Sequence, residues 1–218
     1  MGTERAVIFV NGELGDASVM KEQLRPGDYL VAADGGLHHL EALGLRANLV
    51  IGDLDSAPPE LVSRAQAAGA EVRRFPGEKD QTDLELALQA VMERGCRRIL
   101  IAAGLGSRVD QTLGNIFLLG LPELDLCDVR LDDGTVEVFL VRDKGHISGS
   151  AGDSVSLIPL SASVSGVSTT GLRYPLQDET LQAGRTRGIS NEMLGESSSI
   201  RIKEGRLLCV HRRKGVEG

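Results

Sequence analysis

The sequence predicts an α/β protein in which a Rossmann-like parallel sheet with flanking helices is followed by a small antiparallel β-sandwich. Up to about residue 130, short apolar runs alternate with longer periodic segments, which is typical of parallel strands and covering helices. After that point the runs become short, separate and rich in Val, Ser and Thr. Asp132-Asp133-Gly134 is the predicted hinge, so we expect domains at 1–133 and 134–218.

Strands of the first domain are predicted from apolar runs, several of which are apolar throughout, as in strands that are covered on both faces. They span 6–10, 29–33, 49–51, 72–75 and 99–103. Helices are predicted over 37–43, 60–68, 82–94 and 110–119. Gly44, Gly69 and Gly95 follow three of these helices, where a left-handed residue commonly ends a helix.

Antiparallel strands of the second domain are predicted in TVEVFLV, DSVSLIPL, VSGVSTTGL, SSSIRI and RLLCVHR. The closing HRRKG is predicted to be a solvated tail. His38-His39, which follow the ADGG turn, are predicted to be surface residues rather than ligands.

Composition excludes several classes of function. The 218 residues, of which 41% are apolar, suffice for the core of one large domain or two small ones. A net charge of −7 with 3% aromatic residues argues against nucleic-acid binding. No stretch approaches the roughly 20 apolar residues of a membrane helix, so we expect no membrane contact. The three separated cysteines fit neither a disulfide framework nor a zinc site, and a cytoplasmic location is expected.

Charged residues follow most of the predicted strands of the first domain. They are Asp34 in ADGG, Asp53 and Asp55 in GDLDS, Lys79, Asp80 and Asp83 in EKDQTD, and Arg108 and Asp110 in GSRVD. In an open parallel sheet the carboxyl ends of the strands share one edge, where ligands bind. The sequence therefore predicts that these residues converge on one crevice.

Several of these residues also have a purely structural explanation. Thr82-x-x-Glu85 has the pattern of a capping box, and Asp83 suits the first turn of a helix. Ser56 and Asp110 are candidate N-caps, and ADGG is compatible with an ordinary turn.

The GDLDS motif is the stronger functional signal, because capping does not require both Asp53 and Asp55. Carboxylates two residues apart repel each other unless a cation lies between them, and hard oxygen ligands suit Mg²⁺. A crevice lined by aspartates would also repel a nucleoside triphosphate. Magnesium ions held by Asp53, Asp55, Asp83 and Asp110, with Lys79 and Arg108 as fixed cations, would compensate this repulsion.

In this order, ADGG, GDLDS, the K-D-x-T-D of EKDQTD and the G-x-R-x-D of GSRVD resemble motifs of the thiamin pyrophosphokinase family. SLIPLSASVSGVSTTGLRYPL and TRGISNEM resemble the thiamin-binding β-domain of that family. The resemblance extends from about residue 7 to residue 212. Ser107 and Gln111 depart from it, because many relatives have a second glycine and a histidine at these positions.

The resemblance implies an enzyme that transfers the pyrophosphoryl group of ATP to the hydroxyl of thiamin, giving thiamin diphosphate and AMP. Asp53, Asp55 and Asp83 would bind magnesium, and either Asp55 or Asp83 would accept the proton of the hydroxyl. Further residues of the ATP site would be Lys79 and Arg108 on the triphosphate, Asp110 in support, and Asp34 and Asp80 within the matched motifs.

For thiamin, the resemblance implies stacking on Tyr174 and polar contacts with Ser190 and Asn191. It also implies a homodimer in which this pocket lies between the β-domain of one subunit and the catalytic domain of its partner.

Two alternatives remain open from the sequence. DLDS also resembles the paired aspartates of haloacid dehalogenase-type phosphohydrolases, although it follows the third run here rather than the first. The other alternative is a non-catalytic sensor of nucleotide or thiamin. The intact set of acidic residues argues against it, because a protein that only binds would gain nothing from so much uncompensated negative charge.

Overall fold

A computed structural model describes residues 5–106 and 108–215, so Ser107 of the GSRVD motif lies outside the described residues. The chain divides into two compact units, Met1–Gly134 and Thr135–Gly218. Within the described ranges no helix combines the length and the apolar character needed to cross a membrane.

The first unit is organised around a parallel sheet. Its described strands are β1 (Arg5–Phe9), β2 (Tyr29–Ala33), β3 (Leu49–Gly52), β4 (Glu71–Arg74), β5 (Arg98–Ala102) and β6 (Asp128–Asp132). They pair in the order β6-β5-β1-β2-β3-β4, every pair parallel. Strands β1, β2, β3 and β5 are buried over nearly their whole length, which explains their apolar sequences. The predicted α/β class is confirmed.

The helices of the first unit connect these strands. Those described are α1 (Ala17–Gln23), α2 (Leu37–Ala42), α3 (Pro59–Ala67), α4 (Asp83–Glu93) and α5 (Val109–Leu118), with 3₁₀ turns at Asp34–Gly36 and Pro122–Leu124. The bounds of β1 to β5 and of α2 to α5 lie within one residue of the prediction. Gly44, Gly69 and Gly95 have the expected positive φ.

Helix α1 and strand β6 were not predicted from the sequence. Only Met20 of α1 is buried, so the helix has almost no apolar periodicity. Asp16 is its N-cap, and the Asp16 carboxylate accepts hydrogen bonds from the Ser18 and Val19 amides. In β6, buried Val129 and Leu131 alternate with charged residues.

At the predicted hinge, Asp132 is the buried last residue of β6. Its carboxylate accepts hydrogen bonds from the Gly134 amide at 2.8 Å and from Gln23 Nε2 at 3.0 Å. These bonds give Asp132 a structural role at the end of the sheet.

The second unit consists of antiparallel strands. They are β7 (Val136–Val141), β8 (Lys144–Ser148), β9 (Ser154–Pro159), β10 (Ser163–Thr170), β11 (Glu179–Gln182), β12 (Asn191–Glu192), β13 (Ser197–Arg201) and β14 (Leu207–Arg212). These strands form two sets of hydrogen-bonded neighbours, one in the order β12-β9-β14-β7 and the other in the order β11-β10-β13-β8. The inward side chains of both sets form one apolar core. This is the predicted β-sandwich. Strands β8, β11 and β12 were missed because they are short or largely polar.

The prediction of a solvated HRRKG tail is wrong at its first residue. His211 lies on β14, is fully buried, and pairs in register with Glu137 of β7. Its Nε2 lies 2.8 Å from Asp153 Oδ2, and its Nδ1 lies 3.4 Å from Glu137 Oε2. Burial by itself lowers the pKa of His211, but the hydrogen bonds and charges of Glu137 and Asp153 outweigh it and raise the pKa above the ordinary value.

We predict that protonated His211 stabilises the second unit. Because its pKa is raised on folding, the contribution is complete below the unfolded-state pKa of about 6.5 and is lost as the pH rises through the folded-state pKa. The melting temperature should therefore fall over that range, and His211→Gln should remove this part of the pH dependence.

The imidazole titration, followed by NMR, and calorimetric melting against pH provide the measurements. The control is His146→Gln, because His146 is exposed in the same unit. A His211 signal that titrates at or below pH 6.5 would contradict the assignment.

Candidate active site

The carboxyl ends of the strands in the first unit surround a cleft of about 810 Å³. Its walls come from the segments that follow β1, β2, β3 and β5 and from the first turns of α4 and α5. Asp34, Asp53, Asp55, Asp83, Arg108 and Asp110 all line it. The strand-end segments thus meet at one edge of the sheet.

Three aspartates form a cluster within this cleft. Asp34 follows β2, Asp53 follows β3 and Asp83 begins α4, and one carboxylate oxygen from each lies within 4.8 Å of the others. Oxygen donors at such spacing are suitable ligands for a divalent cation. We call these three residues the aspartate triad.

Gly52 makes room for the aspartate triad. A Cβ atom at this position would lie 2.9 Å from Asp83 Cγ and 3.3 Å from Asp34 Cβ. The φ of Gly52 is +140°, which L residues rarely adopt. A side chain at position 52 would therefore force the carboxylates apart.

Lys79 is the cation nearest to the triad. Its Nζ lies 3.1 Å from Asp83 Oδ1 and 3.4 Å from Asp53 Oδ2, and it donates to the Pro76 carbonyl at 3.2 Å. Burial lowers the pKa of Lys79, but its contacts with Asp83 and Asp53 more than offset this effect, so that the ammonium group is retained. One ammonium group cannot neutralise three carboxylates.

The electrostatics differ between the triad members. Burial raises the pKa of Asp83, the charges of Asp53 and Asp34 raise it further, and Lys79 only partly opposes them. The Asp55 amide, which donates to Asp53 Oδ1 at 3.2 Å, is the main cause of the lowered pKa of Asp53. Asp83 Oδ1 is buried and, among the described residues, has no partner with hydrogen-bond geometry despite the nearby Lys79.

Asp55 and Asp80 lie outside the triad. Asp55 is exposed in the cleft, where its carboxylate accepts a hydrogen bond from Ser56 Oγ at 3.0 Å. Leu54, between the two aspartates of GDLDS, has a φ of +63°, a left-handed conformation that is uncommon for a residue other than glycine. Asp80 is exposed and does not line the cleft.

The expected N-caps are partly realised. Thr82 caps α4, since its Oγ1 accepts a hydrogen bond from the Glu85 amide at 3.2 Å, while the Glu85 carboxylate accepts one from Gln81 Nε2. Ser56 does not cap α3, which begins at Pro59. Instead its amide donates to Asp34 Oδ1 at 3.2 Å.

Arg108 and Asp110 form an exposed ion pair at the start of α5. Arg108 occupies the N-cap position, so Asp110 is not the N-cap. Two hydrogen bonds, of 2.9 Å from Nε and 2.7 Å from Nη2, join the guanidinium to the carboxylate. They are the main cause of the low pKa of Asp110, about 2. The pair places a cation and an anion at the mouth of the cleft.

Two family models match this chain. The family model described as "Thiamin pyrophosphokinase, catalytic domain" matches residues 20–126, and "Thiamin pyrophosphokinase, vitamin B1 binding domain" matches residues 142–207. Together they cover well over half of the chain. The chain belongs to the thiamin pyrophosphokinase family.

Individual members of the family are similar over most of the chain. Thiamine pyrophosphokinase of Bacillus subtilis (strain 168) is 29% identical over 182 residues, 83% of this chain and 85% of the relative. The crystal structure of a Bacillus subtilis thiamine pyrophosphokinase has a TM-score of 0.85 at 26% identity, covering 96% of this chain and 99% of that one. The corresponding structure from Geobacillus thermodenitrificans has a TM-score of 0.83 at 27% identity, covering 97% and 98%.

The residues expected to contact thiamin lie in the part that matches the vitamin B1 binding domain of thiamin pyrophosphokinases. Asn191 Oδ1 accepts a hydrogen bond from the Tyr174 amide at 3.0 Å, and Asn191 Nδ2 donates to the Tyr174 carbonyl at 2.7 Å. The Tyr174 side chain is 58% exposed. Ser190 has a φ of +60°, and its amide donates to Ser156 Oγ at 3.1 Å. The three residues form one polar surface with an exposed ring.

Sequence reasoning missed the contribution of the segment after β1. Asn11, Gly12 and Glu13 line the cleft, and His39, expected at the surface, is half-buried with its Nε2 2.9 Å from the Gly12 carbonyl oxygen. The available signal was the Asn-Gly pair at the end of the first predicted strand, since every carboxyl end of a parallel sheet faces the same edge.

Thr82→Ala tests whether the cap supports the first turn of α4, on which Asp83 lies. We expect the free energy of unfolding in urea to fall by about 1 kcal/mol, because the Glu85 amide loses its acceptor. Thr82→Ser retains a capping oxygen and serves as the control. Equal stability of Thr82→Ala and the parent protein would show that the cap contributes nothing.

Proposed function

We propose that this chain transfers the pyrophosphoryl group of ATP to the hydroxyl of thiamin, giving thiamin diphosphate and AMP. The observation that carries this proposal is the aspartate triad in a cleft at the carboxyl ends of the sheet, with the Lys79 ammonium group in contact with Asp83 and Asp53. Membership in the thiamin pyrophosphokinase family supports both substrates. It does not favour the phosphohydrolase or the non-catalytic sensor.

We propose Mg²⁺ as the ion of this site. The triad fits such a cation, because Asp34, Asp53 and Asp83 offer clustered hard oxygens and the buried Asp83 Oδ1 lacks a hydrogen-bonded partner within the described chain. Asp55 borders the triad from the cleft. When bound, magnesium would supply positive charge that offsets the repulsion between the acidic cleft and the triphosphate, including the charge that develops during transfer.

Residues of the chain would position the two substrates. Lys79 is the fixed cation beside the triad. Asp110 fixes the orientation of the Arg108 guanidinium through two of its N–H groups, and the others, which bond to none of the described residues, can donate to a phosphate oxygen. Asp55 is the better placed proton acceptor for the thiamin hydroxyl, because its carboxylate is exposed in the cleft whereas Asp83 contacts Lys79. Full activity of Asp55→Asn would exclude this role.

Tyr174, Ser190 and Asn191 are the proposed thiamin contacts. An exposed aromatic ring offers a face to a flat cationic heterocycle, and the neighbouring polar groups offer hydrogen bonds. The Asn191 hydrogen bonds hold the backbone of Tyr174 on both sides, so the ring is presented from a fixed position.

We further propose a homodimer in the cytoplasm. The stretch 111–121 carries no charge, and Val109, Leu113 and Phe117 of α5 expose an apolar face at successive turns. Two copies of such a face can meet about a two-fold axis without like-charge repulsion. Light scattering that gives the mass of a single 23.2 kDa chain would exclude the dimer.

The proposed location in the cytoplasm rests on the cysteines, because three free cysteines suit a reducing compartment.

The decisive experiment is incubation of the protein with thiamin, ATP and Mg²⁺, followed by identification of all products. Thiamin diphosphate and AMP in equal amounts support the proposal. Release of inorganic phosphate alone would indicate a phosphohydrolase, and binding without turnover would indicate a sensor. Formation of ADP would exclude pyrophosphoryl transfer.

Gly52→Ala is predicted to impair metal binding, because its Cβ would press against Asp83 and Asp34. The rise in melting temperature on adding Mg²⁺ without nucleotide should be largely lost. The matched control is Gly44→Ala, since Gly44 also has positive φ but nothing within 4 Å of the added Cβ. If both variants retained the parent response to Mg²⁺, the triad would not be the metal site.

Tyr174→Ala is predicted to raise KM for thiamin roughly tenfold with little change in KM for ATP, because stacking on a cation is lost. Tyr174→Phe keeps the ring and should remain close to the parent enzyme. Steady-state kinetics with each substrate varied in turn provides the measurement. An equal rise in both KM values would argue against a thiamin contact.

A further inference from the structure

The segment Asn11–Gly12–Glu13, here called the β1 loop, lines the cleft but has no role in the function proposed above. In the sheet order, β1 lies between β2 and β5, so the chain proceeds to one side of β1 and later returns to the other. The carboxyl ends of β1 and β5 therefore flank the topological switch point, where open α/β sheets bind ligands.

Backbone contacts hold the β1 loop against the segment that follows β5. The Glu13 amide donates to the Leu105 carbonyl at 3.2 Å. A Cβ atom on Gly12 would lie 2.2 Å from the Ala103 carbonyl oxygen, so only glycine permits this approach. The loop is thus closely packed on that side.

His39 of α2 holds the loop from another direction. Its Nε2 lies 2.9 Å from the Gly12 carbonyl oxygen. Because a carbonyl oxygen can only accept, Nε2 carries the hydrogen and donates it, in either charge state of the ring. His38, the preceding residue on α2, is exposed.

Asn11 lines the cleft next to the turn that carries Asp34. A Cβ atom on Gly35, the residue after Asp34, would lie 2.4 Å from Asn11 Cγ and Oδ1, so the amide packs directly on that turn. Within residues 5–106 and 108–215 the amide has no hydrogen-bond partner. It therefore offers two donors and an acceptor to a ligand, without charge, in a cleft dominated by carboxylates.

We propose that the Asn11 amide hydrogen-bonds the nucleotide and that His39 is a positioning residue, which holds the β1 loop in place through the Gly12 carbonyl. The inference rests on the proposed ATP-dependent function of the same cleft. Asn11 contacts the nucleotide itself, whereas His39 acts only through the loop. Neither residue affects the recognition of thiamin.

Steady-state kinetics of four variants tests the proposal. Asn11→Ala and His39→Leu should each raise KM for ATP about three- to tenfold, the effect of one neutral hydrogen bond, with KM for thiamin unchanged. His39→Gln can still donate to the Gly12 carbonyl and should restore the parent KM. His38→Gln, one residue away, is the matched control and should behave as the parent enzyme.

Calorimetric titration with a non-hydrolysable ATP analogue should show the same order of affinities, independently of turnover. Parent-like affinity in both Asn11→Ala and His39→Leu would overturn the proposal. So would a parallel loss of kcat, both KM values and melting temperature in His39→Leu, because that pattern indicates a purely structural role. Failure of the proposed function is distinguishable, since the parent protein would then form no thiamin diphosphate.

Discussion

The main constraint on the first unit is that three carboxylates lie within 4.8 Å of one another although their charges repel. Chain topology enforces this arrangement, because Asp34, Asp53 and Asp83 are delivered by three different segments to one edge of a buried parallel sheet. Lys79 relieves only part of the repulsion: burial raises the pKa of Asp83, and the charges of Asp53 and Asp34 raise it further against the effect of Lys79. The remaining negative charge is what the proposed Mg²⁺ would offset.

Backbone strain accumulates at the same edge of the sheet. Asp34, Leu54 and Ala103 have φ values of 47°, 63° and 56°, although none is glycine, and each lies just beyond the carboxyl end of a strand. Such conformations cost of order 1–3 kcal/mol each and persist where surrounding structure fixes them. The buried strands β2, β3 and β5 provide that support, so the apolar sheet maintains a strained polar edge.

The sequence predicted the convergence of the acidic segments, since this requires only parallel strands and the positions of their ends. It did not predict which carboxylates cluster. Leu54, between Asp53 and Asp55, adopts a left-handed conformation, and no local sequence pattern indicates a positive φ for leucine. The sequence also did not predict side-chain contacts between residues that are distant along the chain, namely His39 with Gly12 and His211 with Glu137 and Asp153. Each depends on a packing arrangement that periodicity does not encode.

The buried ionisable groups of the two units differ in how completely the chain hydrogen-bonds them. In the second unit, His211 lies between two carboxylates, and Asp153 also accepts hydrogen bonds from the Ser150 and Lys214 amides, so the network is satisfied by the chain itself. In the first unit, Asp83 Oδ1 is buried without a hydrogen-bonded partner in the described chain. Incomplete hydrogen bonding of a buried carboxylate is costly, the ion pair with Lys79 offsets only part of that cost, and a ligand can supply the missing contact. The completeness of hydrogen bonding therefore distinguishes a structural ion cluster from a binding site when sequence motifs alone do not.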